Sequence, residues 1–288
     1  MIIMRKITLF LAMFAYILSM QAQDTTYWKK GGDYALNFSD VAFSNWASGG
    51  DNAQNINSFM NLFASYAKDR IAWDNNLNLA YGLSDVAGKG YRKSDDKIDF
   101  SSKFGYKANE KLFYAALATF KSQFTAGYDY TDQGRNVISN FMTPGYFTFG
   151  IGVDYKPTKC LSIYFSPLTN KLTFVTIENL REKYGLDPDK SMRYEFGGLA
   201  KIVFRKDIVK NVTLESKLEL FSNYLKNPQN IDVDWQNALT MKVNKYLSAS
   251  ILTHLLYDDD IDINAVKDGK QVGIQFTRTF GVGFMYKF

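Results

Sequence analysis

One cysteine, one histidine and five prolines among 288 residues leave little room for several common kinds of chemistry. A lone Cys160 forms no internal disulfide, so the covalent stapling of small exported domains is excluded and the thiol reads as a bystander. Cys160 and His254 together cannot furnish the usual set of nitrogen and sulfur ligands of a transition-metal site. Long apolar runs are missing too. The run from Ile7 to Met20 has 14 residues, short of the roughly 20 needed by a membrane-spanning helix, and no later apolar run approaches that length.

Charge of one sign is also absent. Arg5 and Lys6 precede the apolar run, and Gln21 and Ala22 follow it before the chain turns polar, so residues 1–22 read as a secretory signal peptide cut after Ala22. Without Arg5 and Lys6 the remaining chain carries 32 basic and 29 acidic side chains, a net of +3. That balance argues against nucleic acid as a partner, because phosphate binding needs a clustered basic surface. No Pro/Ser linker or composition shift divides residues 23–288, which read as one domain.

What is present is alternation. Ile71, Trp73, Leu77, Leu79, Tyr81 and Leu83 alternate with Asp74, Asn76, Asn78, Ala80 and Gly82. The same period sets Ile98, Phe100, Phe104 and Tyr106 against Lys97, Asp99, Ser101, Lys103 and Gly105. Further segments repeat it near 147–155, 194–205, 212–220 and 231–242, and weaker ones lie near 32–39, 54–67, 111–124, 160–166, 246–257 and from Gln271 to the end. Apolar residues at period two make a strand with one apolar face, and these runs are longer than the usual soluble strand. The expectation is an all-β, antiparallel up-and-down barrel of twelve strands. Short turns near 68–69, 108–110, 157–159, 206–210 and 244–245 alternate with longer connections at 40–53, 84–95, 125–145, 167–191, 225–230 and 258–270. Such alternation is that of a membrane barrel with periplasmic turns and termini and extracellular loops.

Alternation alone does not say whether the apolar face meets a core or lipid. Each apolar stripe is long enough for a tilted strand to cross a bilayer, about 9 to 11 residues. Aromatic residues gather toward stripe ends, as with Trp73, Tyr81, Tyr106, Tyr155, Tyr194, Tyr224, Trp235 and Tyr257, which suits interfacial girdles. Twelve strands also enclose more apolar interior than side chains fill, since about eight already reach that limit. Lipid outside is the consistent solution, which places the chain in a bacterial outer membrane with lipid and lipopolysaccharide as surroundings.

The last strand is the cleanest. Phe280, Val282, Phe284, Tyr286 and Phe288 share one face, opposite Thr277, Thr279, Gly281, Gly283 and Lys287. This resembles the C-terminal signal read by the barrel-assembly machinery of outer membranes. Arg278 breaks the apolar parity, and at about 2.5 Å of height per tilted residue it sits roughly 25 Å up, at the far edge of the apolar band.

Near the N-terminus, Asn45, Trp46, Gly49, Gly50, Asp51 and Asn52 are followed by Trp73, Asp74, Asn75 and Asn76 with Tyr81, Gly82 and Leu83. In this order they resemble an uncharacterised outer-membrane family of Bacteroidota, catalogued only as a domain of unknown function. The resemblance implies the barrel and its compartment over the whole exported chain, and implies no activity, cofactor or catalytic residue.

Candidate functional residues are therefore those facing inward. Lys97, Asp99, Lys103, Arg193, Glu195, Lys201, Glu215, Lys217, Glu219, Asp232, Asp234 and Lys242 fall on the polar parity, as do Lys121 and Arg205. Their mixed signs leave two expectations open: a narrow pore for small polar solutes, or a lumen closed by ion pairs, because an unpaired buried charge is strongly unfavourable. No nucleophile motif accompanies His254, so a membrane hydrolase is not expected and no cofactor is called for. Asp258, Asp259, Asp260, Asp262, Asn264 and Asp268 follow the first half of a calcium loop, but Ile263 stands in place of the turn glycine and Gly269 in place of the bidentate Glu, so a solvated acidic loop is expected. Gly49 to Asn52 reads as a turn, not a phosphate cradle, since no helix or Lys follows it.

Overall fold

In a computed structural model, described for residues 27–41, 52–88, 90–131, 134–261 and 273–288, every alternating segment is a strand. In chain order these are β1 (Trp28–Val41), β2 (Ala53–Lys68), β3 (Ile71–Val86), β4 (Arg92–Lys107), β5 (Leu112–Ser122), β6 (Gly127–Thr131), β7 (Gly134–Ser139), β8 (Gly145–Thr158), β9 (Leu161–Phe174), β10 (Met192–Val209), β11 (Val212–Asn223), β12 (Ile231–Lys242), β13 (Leu247–Tyr257) and β14 (Gln275–Lys287). Twelve of them close into one antiparallel barrel in which each pairs with its sequence neighbours, while β6 and β7 form a separate hairpin. The seam is β1 against β14, in register from Asp33 opposite Lys287 to Asn37 opposite Gly283. Backbone bonds between Gly32 and Phe288, 2.9 and 3.0 Å, extend it. A Cβ on Gly281 or Gly283 would strike the Asn37 side chain, so these glycines let Asn37 lie flat across the seam.

At one end, here the turn end, connections are tight. Asp69 and Asn211 take positive φ in the β2–β3 and β10–β11 turns. Asn109 accepts the amides of Lys111 and Leu112 at 3.0 Å, and Asn244 those of Tyr246 and Leu247 at 2.8 Å. Asn and Asp serve here because their side chains mimic a turn backbone and tolerate the left-handed region.

The loop end departs from expectation in three places. Residues 84–95 are mostly strand: β3 and β4 pair as far as Ser84 opposite Arg92, leaving 87–91 as the connection. The stretch 125–145 carries the β6–β7 hairpin. The third concerns 167–191, where β9 continues past Pro167 to Phe174. Pro167 lacks an N–H for the ladder, and it is accommodated in a bulge where register shifts against both β8 and β10. Side chains take up the freed groups: Tyr164 donates to the Gly150 carbonyl at 2.7 Å and Ser166 to that of Ile151 at 2.9 Å.

The apolar parity points outward. Phe280 and Phe284 are each 68% exposed and Ile151 is 54% exposed on the outer wall, without cover. Phe276, Val282 and Tyr286 share that face, and Phe288 stacks on Tyr286 with ring centres 6.1 Å apart. Toward the turn end Trp28 packs on Tyr66 and Trp73 at 5.3 and 5.7 Å, part of an aromatic belt that includes Tyr106, Tyr114 and Tyr155. Arg278 is exposed on the same outer face, opposite Thr253, near the loop end of β14. Residues 1–22, the words Asn45–Trp46 and Gly49–Asp51, and the ligand-like Asp262, Asn264 and Asp268 lie outside the described residues.

Candidate functional site

Inward-facing positions divide into two walls. On β14, β1, β2 and β3 they are largely small or neutral: Asn37, Asn57, Asn61, Asn76, Asn78 and Gly283, for example. On β4, β5 and β8–β12 they are charged, and the charges meet across the lumen. Lys121 of β5 reaches Glu219 of β11 at 2.8 Å and Asp234 of β12 at 2.9 Å. Lys201 of β10 is a second partner of Glu219. His254 of β13, whose side the sequence left open, points inward and sits 2.9 Å from Asp234, and Gln236 donates to the same carboxylate. Lys97 of β4 donates to Gln236 of β12 at 2.7 Å and lies 3.4 Å from Asp99.

β4 and β12 are six strands apart in a closed order of twelve, so the Lys97–Gln236 bond runs along a full diameter. A circular barrel with strands ~4.8 Å apart and tilted ~40° is roughly 24 Å across. Two extended side chains joined by one hydrogen bond bridge only about 14 Å between their Cα atoms. The section is therefore oval, drawn in along the β4–β12 axis.

Below this crossing, Lys103 holds Asp154 at 2.6 Å, and Ser162 donates to the other oxygen of Asp154 at 2.6 Å. Glu215 binds Lys217 at 2.7 Å and Arg205 at 3.0 Å, and Lys242 lies farther toward the turn end. Above it, Lys171 lies 2.7 Å from Asp232, 3.5 Å from Asp258 and 3.8 Å from Glu195. Arg193 binds Glu195 at 3.0 Å and Asp260 at 3.1 Å. Carboxylate oxygens of Asp232, Asp258 and Asp259 lie within 4.8 Å of one another, but Lys171 already serves two of the three, so the group carries its own cation.

All twelve expected lumen charges thus project inside, and most enter ion pairs. Sequence parity missed three contributors. Lys171 falls within 167–191, expected as a connection, whereas β9 continues past Pro167 to Phe174. Asp154 was placed on the polar face among glycines and threonines, with nothing to mark it as a partner of Lys103. An apolar cluster of Ala115, Leu117, Tyr164, Leu199 and Phe221 also lies inside, buried on the polar parity of its strands.

Two cavities flank the crossing. The loop-end chamber, ≈ 350 Å³, is lined by Asp95, Lys97, Lys121, Phe221, Asp232 and His254 among others. The turn-end chamber, ≈ 700 Å³, is lined by Asp74, Asn78, Asp99, Lys103, Lys156 and Glu215 among others. Leu117, Glu219, Asp234 and Gln236 line both, so they form a partition with a cavity on each side.

A cap of loop residues sits over the loop end. Val175, Leu180 and Leu186 form a small buried core with Val137, Ile177 and Tyr184 packed against it. Gly185, at φ +73°, lets the chain turn after residues 182–184. Tyr184 donates to the Ile138 carbonyl at 2.9 Å, and burial pushes its phenol up to about 12. The cap is moored to the barrel by Arg193, which donates to the carbonyls of Tyr184 and Gly185 at 3.2 and 3.4 Å. Burial raises the Asp260 pKa, but Arg193 and Lys226, the latter 3.0 Å away, outweigh it and hold the carboxyl below its ordinary range. On the β6–β7 hairpin Arg92 stacks over Tyr130 at 3.9 Å and Arg135 over Tyr128 at 4.5 Å.

No curated protein matches the chain. Among solved structures it is similar to the translocator domain of autotransporter NalP from Neisseria meningitidis, with 9% identity, 98% of this chain and 96% of that one covered, and a TM-score of 0.41. It is similar also to the COG4313 outer membrane channel from Pseudomonas putida F1, with 10% identity, 93% and 100% covered, and a TM-score of 0.41. The family model described as "Protein of unknown function (DUF3078)" matches residues 38–128, the part that holds the Trp73 to Leu83 words of the resemblance.

Proposed function

We propose that the protein is an outer-membrane barrel that is closed at rest: a binding barrel whose loop-end chamber receives a small solute and whose partition blocks passage to the turn end. The observation that carries this is the shared lining of the two chambers by Leu117, Glu219, Asp234 and Gln236, with Gln236 held across the lumen by Lys97 of β4, and Glu219 and Asp234 by Lys121 of β5. The uncovered apolar outer wall and its aromatic belt support the membrane location. In this reading His254 is a hydrogen-bond partner of Asp234 and not a catalytic base.

Planar-bilayer recording of the refolded full chain tests it. The expected trace for the native protein is silent, whereas Lys97→Met combined with Lys121→Gln gives discrete steps. Steady conductance from the native protein overturns the closed reading and supports a narrow pore for small polar solutes through the same lumen.

A further inference from the structure

Charge in the loop-end chamber is unevenly distributed. Asp95, Asp96, Glu219, Asp232, Asp234 and Asp258 face three lysines, Lys97, Lys121 and Lys171. Five of the six carboxylates have partners: Asp96 with Lys93, Glu219 with Lys121 and Lys201, Asp234 with Lys121 and His254, and Asp232 and Asp258 with Lys171. Two of those lysines are shared between two acids each, and Asp95 forms no ion pair among the described residues. Much of the remaining wall is apolar, with Leu117, Leu199, Phe221 and Leu256 around the space beside the hydroxyls of Thr119 and Thr148. At ≈ 350 Å³ the chamber lies at the lower end of the range for small-molecule pockets, roughly 300–1,000 Å³.

A bare metal ion prefers converging oxygens and gains nothing from leucine and phenylalanine walls. An anion meets the excess carboxylates. Lys97 and His254 act on Asp95 only from beyond ion-pair distance, so a neutral apolar solute leaves it without a cation in contact, at a cost in a confined space. From this combination we infer that the chamber is a site for a small organic cation: a primary amine or guanidine with a short apolar body, its charge against Asp95 and its body against Leu117, Leu199 and Phe221. This names the solute class of the closed barrel proposed above and rests on the partition forming the chamber's floor.

Titration calorimetry on the refolded full chain tests it with phenethylamine, and with phenylacetate, 2-phenylethanol and calcium as comparators. Phenethylamine is expected to bind about tenfold or more tightly than either phenyl comparator. Asp95→Asn is expected to remove most of that preference, and Leu117→Trp, which fills the space, to abolish binding. A heat-modifiable band on gels confirms that each variant is folded. Equal binding of 2-phenylethanol overturns the charge assignment, calcium binding lost in Asp95→Asn reassigns the site to a metal ion, and absence of binding by any amine overturns the proposal. Conductance is read separately, so a barrel that proves open but still binds phenethylamine loses the closed reading and keeps this one.

Discussion

The wall made by β14, β1, β2 and β3 and the wall made by β4, β5 and β8–β12 share a strand geometry and an apolar outer face, yet their inner faces differ in kind. One presents Asn37, Asn57, Asn76 and Asn78, neutral groups that need no partner of opposite sign, and Asn61, which donates to Asp33 at 2.7 Å. The other presents Lys97, Lys121, Lys171, Glu195, Glu219 and Asp234, which must find opposite charges and do so along a strand, as Lys97 with Asp99, between neighbours, as Lys171 with Glu195, and across the lumen, as Lys121 with Glu219 and Asp234. The difference shows that the barrel's outside is specified by the solvent it meets, while its inside is specified by pairing. Away from the Asn37 seam, substitution on the neutral wall is therefore expected to cost less than on the charged wall.

The sharpest way to break this comparison is to remove one cation from the charged wall. Lys121→Met leaves Glu219 and Asp234 short of their shared partner, and is expected to cost about 3 kcal/mol in urea unfolding. That is the low end for a broken buried pair, because these side chains keep about a fifth of their surface in the chambers: 23% for Lys121, 20% for Glu219 and 18% for Asp234. Asn78→Ala on the neutral wall is expected to stay within about 1 kcal/mol. Equal losses remove the distinction.

Next in size is a control on the outer faces. Leu79→Arg on β3 and Leu218→Arg on β11 both point outward, and each is expected to cost about 2 kcal/mol in vesicle-refolded protein. Unequal values mean that the walls differ outside as well as within. Smaller again is the cross-lumen bond itself. A double-mutant cycle on Lys97→Met and Gln236→Leu is expected to give a coupling of about 1 kcal/mol, and zero coupling removes that bond from the partition.

The smallest expected effect concerns the cap. Because the Asp260 carboxyl is held below its ordinary value of 3.8, its contribution is fully present above that pH and is lost as pH falls through the lower folded-state value. Cap cleavage by pepsin is expected to accelerate on acidification below about pH 4 in the native protein, and less so in Asp260→Asn. An identical pH profile for the two proteins dismisses Asp260 as a mooring.

Most of the barrel was legible because period two survives in nearly every strand, and because a one-residue slip would turn a whole apolar face inward. The C-terminal strand from Phe280 to Phe288 and the segment from Ile71 to Leu83 show this most plainly. Strand ends were less legible at Pro167, where a bulge lets the ladder continue, and at 84–95, where polar Ser84, Asp85 and Arg92 extend a hairpin. Parity also gave the direction of Lys97, Glu219 and Asp234, but neither their height nor their partners. Lys97 and Gln236 are 139 residues apart and Lys121 and Glu219 are 98 apart, separations over which no local pattern carries register. Leu117 and Leu199 share the parity of Lys121 and Lys201, so their side was legible, but nothing in β5 or β10 marked them as members of one buried cluster.

Twelve hydrogen-bonded strands fix the perimeter of the barrel, and at fixed perimeter an oval encloses less area than a circle. The Lys97–Gln236 tie therefore holds the molecule at a smaller footprint than its strand count allows. The same twelve strands around a rounder section would enclose more area, so the cross-lumen side chains, and not the strand count, set how much space the lumen holds.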